Sequence, residues 1–186
     1  MPKPKKPEKE FKWTSDLAYV LGLLVTDGNL SSDGRHISFK SSDYSLVKNL
    51  KGVLGLSNSI IPVQENRPNR RQPYLIQFGD VQFYRWLEKI GLSPAKTYTI
   101  GAINIPSQYF RDFLRGHLDG DGSILVYEDK YNKYKGKTYK NTRVITRFIT
   151  ASEDHANWLY TKIGQIAPVK GAFIKRPARG RRVAMW

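Results

Sequence analysis

Two acidic residues stand at matching places in two similar stretches of this chain. The first stretch is Leu21-Gly22-Leu23-Leu24-Val25-Thr26-Asp27-Gly28, and the second is Leu114-Arg115-Gly116-His117-Leu118-Asp119-Gly120-Asp121-Gly122. Aligned on their glycines, each places a Gly, an Asp five residues later, and then a Gly. Asp27 and Asp121 lie about half the chain apart. One carboxylate from each of two like halves suggests a pseudo-twofold site. Two carboxylates brought close repel each other unless cations lie between them. Mg²⁺ suits such a pair, because it prefers hard oxygen ligands and keeps waters that can become nucleophiles.

The charge of the chain indicates what the site would meet. Lys and Arg outnumber Asp and Glu by 31 to 16, for a formal net charge of +15. Such an excess favours phosphate polymers through counterion release and, to a lesser degree, anionic membranes. With 186 residues, 40 % of them hydrophobic, the chain can build one packed domain or two small halves sharing a core, and a disordered profile is excluded. No apolar run approaches the ~18–20 residues of a membrane span, and Met1 to Glu10 is Lys- and Pro-rich, unlike a secretory signal. The absence of cysteine excludes disulfides and thiolate zinc sites and fits a reducing compartment. The expected setting is intracellular: cytoplasm or nucleoid, or an organelle matrix. His36, His117 and His155 are too far apart in sequence for a local histidine metal motif. His117, within the second motif stretch, is expected to pack where the two motif helices pair rather than to ligate metal, and the other two to be structural or superficial.

The carboxylates must be positioned by the elements around them. Residues 1–12 read as a flexible basic tail. Thr14, Ser15 or Asp16 can cap a helix whose run Leu17 to Val25 is almost wholly apolar and so buried on most sides. A hairpin follows from Asn29 to Lys40, turning at Ser32-Asp33-Gly34. Ser42 or Asp43 can cap a second helix that carries Leu46, Val47, Leu50, Val53 and Leu54 and ends at Gly55. Ile60 to Val63 and Tyr74 to Phe78 read as a second hairpin around the basic loop Arg67-Pro68-Asn69-Arg70-Arg71. A third helix, Val81 to Ile90, closes at Gly91, and an extended stretch runs on to Pro106.

The order then restarts. Tyr109 to Leu118 reads as a helix, and Ser123 to Tyr127 and Arg143 to Thr150 as strands flanking a long Lys/Tyr-rich loop. Ser152 can cap a helix over 154–163, ended by Gly164. Val169 to Ile174 and Arg182 to Trp186 flank a Pro/Arg turn. Each half thus runs helix, hairpin, helix, hairpin. Ala18, Gly22 and Thr26 are spaced by four, as are Gly116 and Gly120. Small residues at that spacing form a flat helix face on which two backbones can approach closely, bringing Asp27 and Asp121 together at the helix ends.

This arrangement resembles the LAGLIDADG homing endonucleases in their two-motif, single-chain form, over nearly the whole chain. Leu114 to Gly122 matches the nine-letter motif closely. The first copy is looser: Val25 stands where the motif has its earlier Asp, the place held by Asp119 in the second copy. The resemblance implies an α+β fold of two pseudo-twofold αββαββ halves, 13–106 and 107–186, the second shorter and lacking the last helix. Their motif helices would pair, and their antiparallel sheets would form a DNA-binding saddle. It implies catalytic roles for Asp27, Asp121 and Lys96. It also implies a metal shell drawn from Asp27 and Asp121 with the backbone carbonyls of Thr26 and Gly120. Lys96 follows Leu92 by four residues after the third helix, as does the family's active-site lysine. A cation there stabilises the charge of the phosphorane or polarises the attacking water. The second half has no matching lysine, so either Lys96 serves both strands, or Lys170 or Lys175 takes its place, or the chain is trimmed. Lys40 and Ser41 are further polar candidates, while Ser42 and Ser152 read as caps.

The expected reaction is hydrolysis of both strands of a long, asymmetric duplex site, leaving short 3′ overhangs. Mg²⁺ is the expected cofactor; Mn²⁺ should substitute, and Ca²⁺ should bind without supporting cleavage. Strand side chains alternate, so one face of each sheet can point at the major groove. The first-half candidates for DNA contact are Arg35, Lys40, Arg67, Arg70, Arg71, Tyr74 and Gln77. Those of the second half are Lys130, Lys133, Lys135, Lys137, Lys140, Arg143, Arg147, Arg176, Arg179, Arg181 and Arg182. Arg and Gln can read guanine and adenine edges, and the loop lysines suit phosphates. The expected partner is double-stranded DNA, with a host intron RNA as a further one, and neither a membrane nor an obligate protein partner is expected. Two alternatives stand beside this reading. One is a silent DNA- or RNA-binding protein of the same fold, such as an intron maturase; the other is a basic ribosome- or chromatin-associated protein.

Overall fold

The computed structural model describes residues 9–186 except 66, 135, 168, 170, 179, 180 and 186, with no side chains described over 129–135, 138–139 and 175–186. The first half begins with α1 (Ser15–Thr26). Thr14 caps it: its side chain accepts from the Leu17 N–H, satisfying one of the orphan amides of the first turn. All nine residues from Leu17 to Val25 are buried, so this helix is covered on every side, as its apolar run requires. Strands β1 (Gly28–Leu30) and β2 (His36–Ser41), helix α2 (Tyr44–Val53), strands β3 (Ile61–Pro62) and β4 (Tyr74–Gly79) and helix α3 (Val81–Ile90) follow. Asp43 and Asp80 cap α2 and α3, and Gly91 closes α3 with a left-handed φ of 114°. The strands pair antiparallel in the order β1-β2-β4-β3. Ile37, Phe39, Ile76 and Phe78 turn to the helices and are buried, while Ser38, Lys40 and Gln77 alternate onto the opposite, open face.

The second half repeats the order. A short 3₁₀ turn (Ser107–Tyr109) leads into α4 (Phe110–Asp121), then β5 (Ser123–Tyr134), β6 (Lys137–Arg147), β7 (Ile149–Thr150), α5 (Glu153–Ile166), β8 (Ile174–Ala178) and β9 (Arg181–Met185). β7 follows β6 after the single residue Phe148, and the pairings β5-β6 and β7-β9-β8 together reproduce the order of the first sheet. This is the mixed helix and antiparallel-sheet architecture expected from the sequence.

Four details depart from the sequence reading. The Lys/Tyr-rich stretch is a two-stranded ribbon rather than a loop, because its Val, Tyr and Thr residues favour extended chain and Gly136 (φ 76°) takes a turn conformation that suits glycine. Helix α5 passes through Gly164, where a side chain would meet nothing, and stops one residue before Ala167, whose successor is Pro168. Arg176 and Pro177 lie in β8, not in a turn. Lys9 and Phe11, within the stretch read as a tail, lie on α3: Lys9 donates to Gln82 Oε1 and Asp80, and the Phe11 ring packs on Phe83 and Trp86. Residues 1–8 lie outside the described residues.

The halves join through α1 and α4. A Cβ on Gly22 would lie 2.3 Å from the Phe113 carbonyl oxygen, and one on Gly116 would lie 2.0 Å from that of Tyr19. Only glycine permits this backbone approach. Asp119, the earlier acidic position of the second motif, accepts a 2.8 Å hydrogen bond from the Tyr19 hydroxyl across the pair, and Arg115 lies 4.7 Å over the Tyr19 ring. Burial and the Asp119 carboxylate hold the Tyr19 hydroxyl up at about 12, so it remains a donor. Tyr19→Phe should cost about 1 kcal/mol, read as a melting temperature a few degrees lower in a thermal scan; an unchanged melt would show the bond to be idle.

Candidate active site

Both motif helices end at one place. Thr26 is the last residue of α1, and its hydroxyl and methyl lie against Gly120 at the end of α4; a Cβ on Gly120 would be 2.0 Å from Thr26 Oγ1. Asp27 and Asp121 therefore lie near each other, close enough for Asp121 to act on the Asp27 carboxyl. Both carboxylates are raised above their ordinary range. Burial is the main cause for each; Asp27, pushed up to about 6, is raised further by Asp121. The C-terminal ends of two helices carry partial negative charge, which adds to the local anionic excess.

Lys96 is the cation that answers them. It is 8 % exposed, and its ammonium donates to the carbonyls of Gly28 (2.5 Å) and Thr26 (3.3 Å). Burial lowers its pKa, and Asp121 and Asp27 oppose that shift. One lysine thus faces both aspartates. Lys170 and Lys175, the alternatives for the second half, lie outside the described side chains. Lys40 is exposed on the open face, near enough to Asp27 to pull its pKa down against the other influences.

A cavity of about 210 Å³ opens beside Asp121, between the Lys96 loop and the start of α5. Val25, Thr26, Thr97, Ile100, His117, Ile149, Thr150, Ala151 and His155 complete its lining. Thr150 ends β7 at this cavity, and Ala151 follows it. His155, read as structural or superficial, is fully buried at this cavity, and nothing local in the sequence marks it. The His117 ring turns from the α1–α4 pair, its expected place, to α5, stacked on His155 with ring centroids 5.3 Å apart. His36 is half-exposed and bonded to Asp33.

The donor set fits a hard divalent cation. Two part-buried carboxylates of raised pKa stand at the ends of α1 and α4, with buried Lys96 acting on both and bonded to the Thr26 carbonyl. Among the described residues no group of three or more His, Cys, Asp or Glu could hold a metal, so water or substrate oxygens would have to complete the shell.

The basic candidates divide. Lys40 and Gln77 lie on the open face of the first sheet. Arg35 is exposed at the edge of that sheet, beside Gly79. Arg70 and Arg71 are exposed on the β3–β4 loop, whereas Arg67 is held bidentate by Glu65 at 2.8 Å. Tyr74 alternates onto the covered side with Ile76, its ring 5.0 Å from that of Tyr44. In the ribbon, Arg143 and Arg147 share a face with Tyr127 and Ser123, their register partners. Lys137 and Lys140 are exposed, Lys140 lying 3.8 Å from Glu128. Lys130, Lys133, Lys135, Arg176, Arg179, Arg181 and Arg182 lie outside the described side chains.

No family model matches this sequence, and no curated protein does. Solved structures do. The N-terminal LAGLIDADG domain of DUF199/WhiA aligns over 92 % of this chain and 73 % of its own, with a TM-score of 0.56 and 16 % identity. Full-length DUF199/WhiA from Thermatoga maritima aligns with a TM-score of 0.55 and 15 % identity, and this chain spans 50 % of its length. The I-LtrWI LAGLIDADG homing endonuclease, solved bound to target DNA, gives a TM-score of 0.53 at 12 % identity over 92 % of this chain and 77 % of its own. At these identities the likeness shows the fold, that of LAGLIDADG domains, and WhiA and the endonuclease are about equally near. Among the described residues no helix is long and apolar enough to cross a membrane.

Proposed function

We propose that this chain is a site-specific double-strand DNA endonuclease that acts through Asp27, Asp121 and Lys96. The observation that carries the reading is the cluster itself: two part-buried carboxylates of raised pKa at the joined ends of α1 and α4, with one buried lysine near enough to act on both. Mg²⁺, or Mn²⁺ in its place, would be held by these carboxylates with the Thr26 and Gly120 carbonyls; when bound it supplies a water of lowered pKa and a Lewis acid at the phosphate. Ca²⁺ would bind without supporting cleavage. Asp27 and Asp121 must be ionised to serve. Lys96 puts positive charge next to the phosphate as its charge grows. Lys40 and Gln77, on the open face of the first sheet, and Arg143 and Arg147 on the ribbon would contact the duplex, with the other exposed basic residues on phosphates.

The test is a cleavage selection. The protein is incubated with a library of long random duplexes in Mg²⁺, with Ca²⁺ as control, and the cut ends are sequenced. Cuts with short 3′ overhangs at one asymmetric site, in Mg²⁺ alone, are expected. Specific retention without cutting would support a second reading, a DNA- or RNA-binding protein of this fold such as a maturase, favoured by the equal nearness of the WhiA domain. Lys96→Met should slow single-turnover cleavage about 10²–10³-fold while DNA affinity holds. Cutting at the wild-type rate would remove Lys96 from the chemistry.

A further inference from the structure

Lys96 belongs to the first half in sequence, on the connection between α3 and α4; its ammonium is held by first-half carbonyls and Asn104 is tied back to Ile90, yet two further ties on that connection come from the second half. The connection is irregular. Ala95, next to Lys96, has a left-handed φ of 54°, a conformation sparsely populated by residues other than glycine. The Thr99 and Ile100 N–H groups fold back onto the Lys96 carbonyl at 3.1 and 2.9 Å. Nothing in that turn alone sets where the ammonium points.

Two side chains at the start of α5 grip the next two carbonyls. The Ser152 hydroxyl, 2 % exposed, donates to the Ile100 carbonyl at 2.5 Å. His155 is fully buried, and its Nδ1–H donates to the Gly101 carbonyl at 2.7 Å. With Nδ1 protonated, the neutral His155 ring has Nε2 as an acceptor, and it takes the Nε2–H of His117 at 3.2 Å. Burial holds both rings neutral, His155 down to about 4 and His117 to about 3, so the chain of donors keeps one direction near neutral pH. His117 stands on α4 one turn before Asp121. Its Nδ1 is buried with no hydrogen-bond partner among the described residues, an arrangement that costs stability where apolar packing would not.

We propose that Ser152 and His155, backed by His117, are positioning residues: through them the second half sets the Lys96 loop of the first half so that one ammonium faces both Asp27 and Asp121. The placement of Lys96 is independent of what the site does; its effect on cleavage rests on the endonuclease reading. Lys96 sits at the join of the halves, and its loop is tied to α5, which follows β7, and through the histidines to α4, which carries Asp121. Lys96 and Asp121 thereby share one frame.

Lysine acetylation at fixed pH, read peptide by peptide by mass spectrometry, tests this on the intact chain. Lys96 in the wild type should label far more slowly than exposed Lys40 or Lys48. Ser152→Ala and His155→Phe should each raise the Lys96 rate about tenfold by freeing the loop, with Lys89 and Lys48 unchanged. Ser152→Thr keeps a hydroxyl, and His155→Asn keeps a donor near the place of Nδ1; both should restore slow labelling. Should His155→Phe fail to fold, the Ser152 pair decides. A Lys96 rate that stays slow in the alanine variant, or one that rises equally with every lysine, overturns the proposal. On the duplex site, Ser152→Ala should lower kcat about ten- to a hundred-fold with KM held. A wild-type protein that cuts no DNA would overturn the endonuclease reading, and the labelling would still decide the positioning.

Discussion

Asp27→Asn is expected to abolish double-strand cleavage and to raise the melting temperature in the same protein. The first effect follows from its place at the joined helix ends, where an amide cannot supply the anionic oxygen that a divalent cation requires. The loss should be at least about a thousand-fold, with most DNA binding intact, since the contacts would be spread over two sheets. The second effect follows from linkage. Asp27 is raised from 3.8 to about 6 in the folded chain, so the folded state holds its proton more tightly than the unfolded state does. The stability gained from that proton is complete below pH 3.8 and lost as pH rises through about 6. At pH 7 the wild type carries the full deficit, about 1–2 kcal/mol after allowance for solvent at a part-exposed group. The amide removes both the buried charge and its repulsion with Asp121. Calorimetry from pH 4 to 8 should show the two proteins diverge as pH rises. Asp121→Asn should act in the same directions, and undiminished cutting by either variant would remove the pair from the chemistry.

The largest loss of stability is expected at the glycines between the helices. Gly22→Leu or Gly116→Leu would drive a side chain into backbone: the Cβ alone would lie 2.3 Å from the Phe113 carbonyl in one case and 2.0 Å from that of Tyr19 in the other. Backbone within a helix cannot give way as a flexible side chain can, so α1 and α4 must separate. That separation uncovers residues such as Ala18, Leu21 and Phe113, all fully buried. It also breaks the Tyr19–Asp119 bond. The cost should be about 4–5 kcal/mol or more, enough to unfold a domain of ordinary stability. Gly164→Ala is the control: that glycine is helical with open space around it, and alanine should stabilise by about half a kcal/mol. An unchanged melt for the leucine variants would count against the helix interface.

Much of this was legible because it is written locally. The Gly-x₄-Asp-Gly spacing located both helix ends and both carboxylates, and the unbroken apolar run from Leu17 to Val25 announced a helix buried all round. The Lys and Tyr residues of 129–140 hid the ribbon, since charge outweighed an extended-chain preference that surfaces only once β5 and β6 pair. Gly164 misled because glycine ends a helix only where a left-handed turn is needed; Pro168 sets the limit here. His155 and the ties of Ser152 and His155 to the Lys96 loop had no sequence signal at all. They join residues more than fifty positions apart, and the partners are carbonyls that every residue possesses.

The ribbon also sets a scale. Twelve residues in β5, at about 3.3 Å each, reach about 40 Å, whereas β1 has three residues and ends at Leu30. A duplex rises 3.4 Å per base pair. An arm of that length, laid along a groove, would follow about one full turn of the double helix on the side of the second half, while β1 spans about three base pairs on the other. The footprint protected from a chemical nuclease would therefore be lopsided, its long flank belonging to the half that holds Asp121. The two motif helices are near copies, so it is in the arms, not at the centre, that such a protein would tell one end of its target from the other.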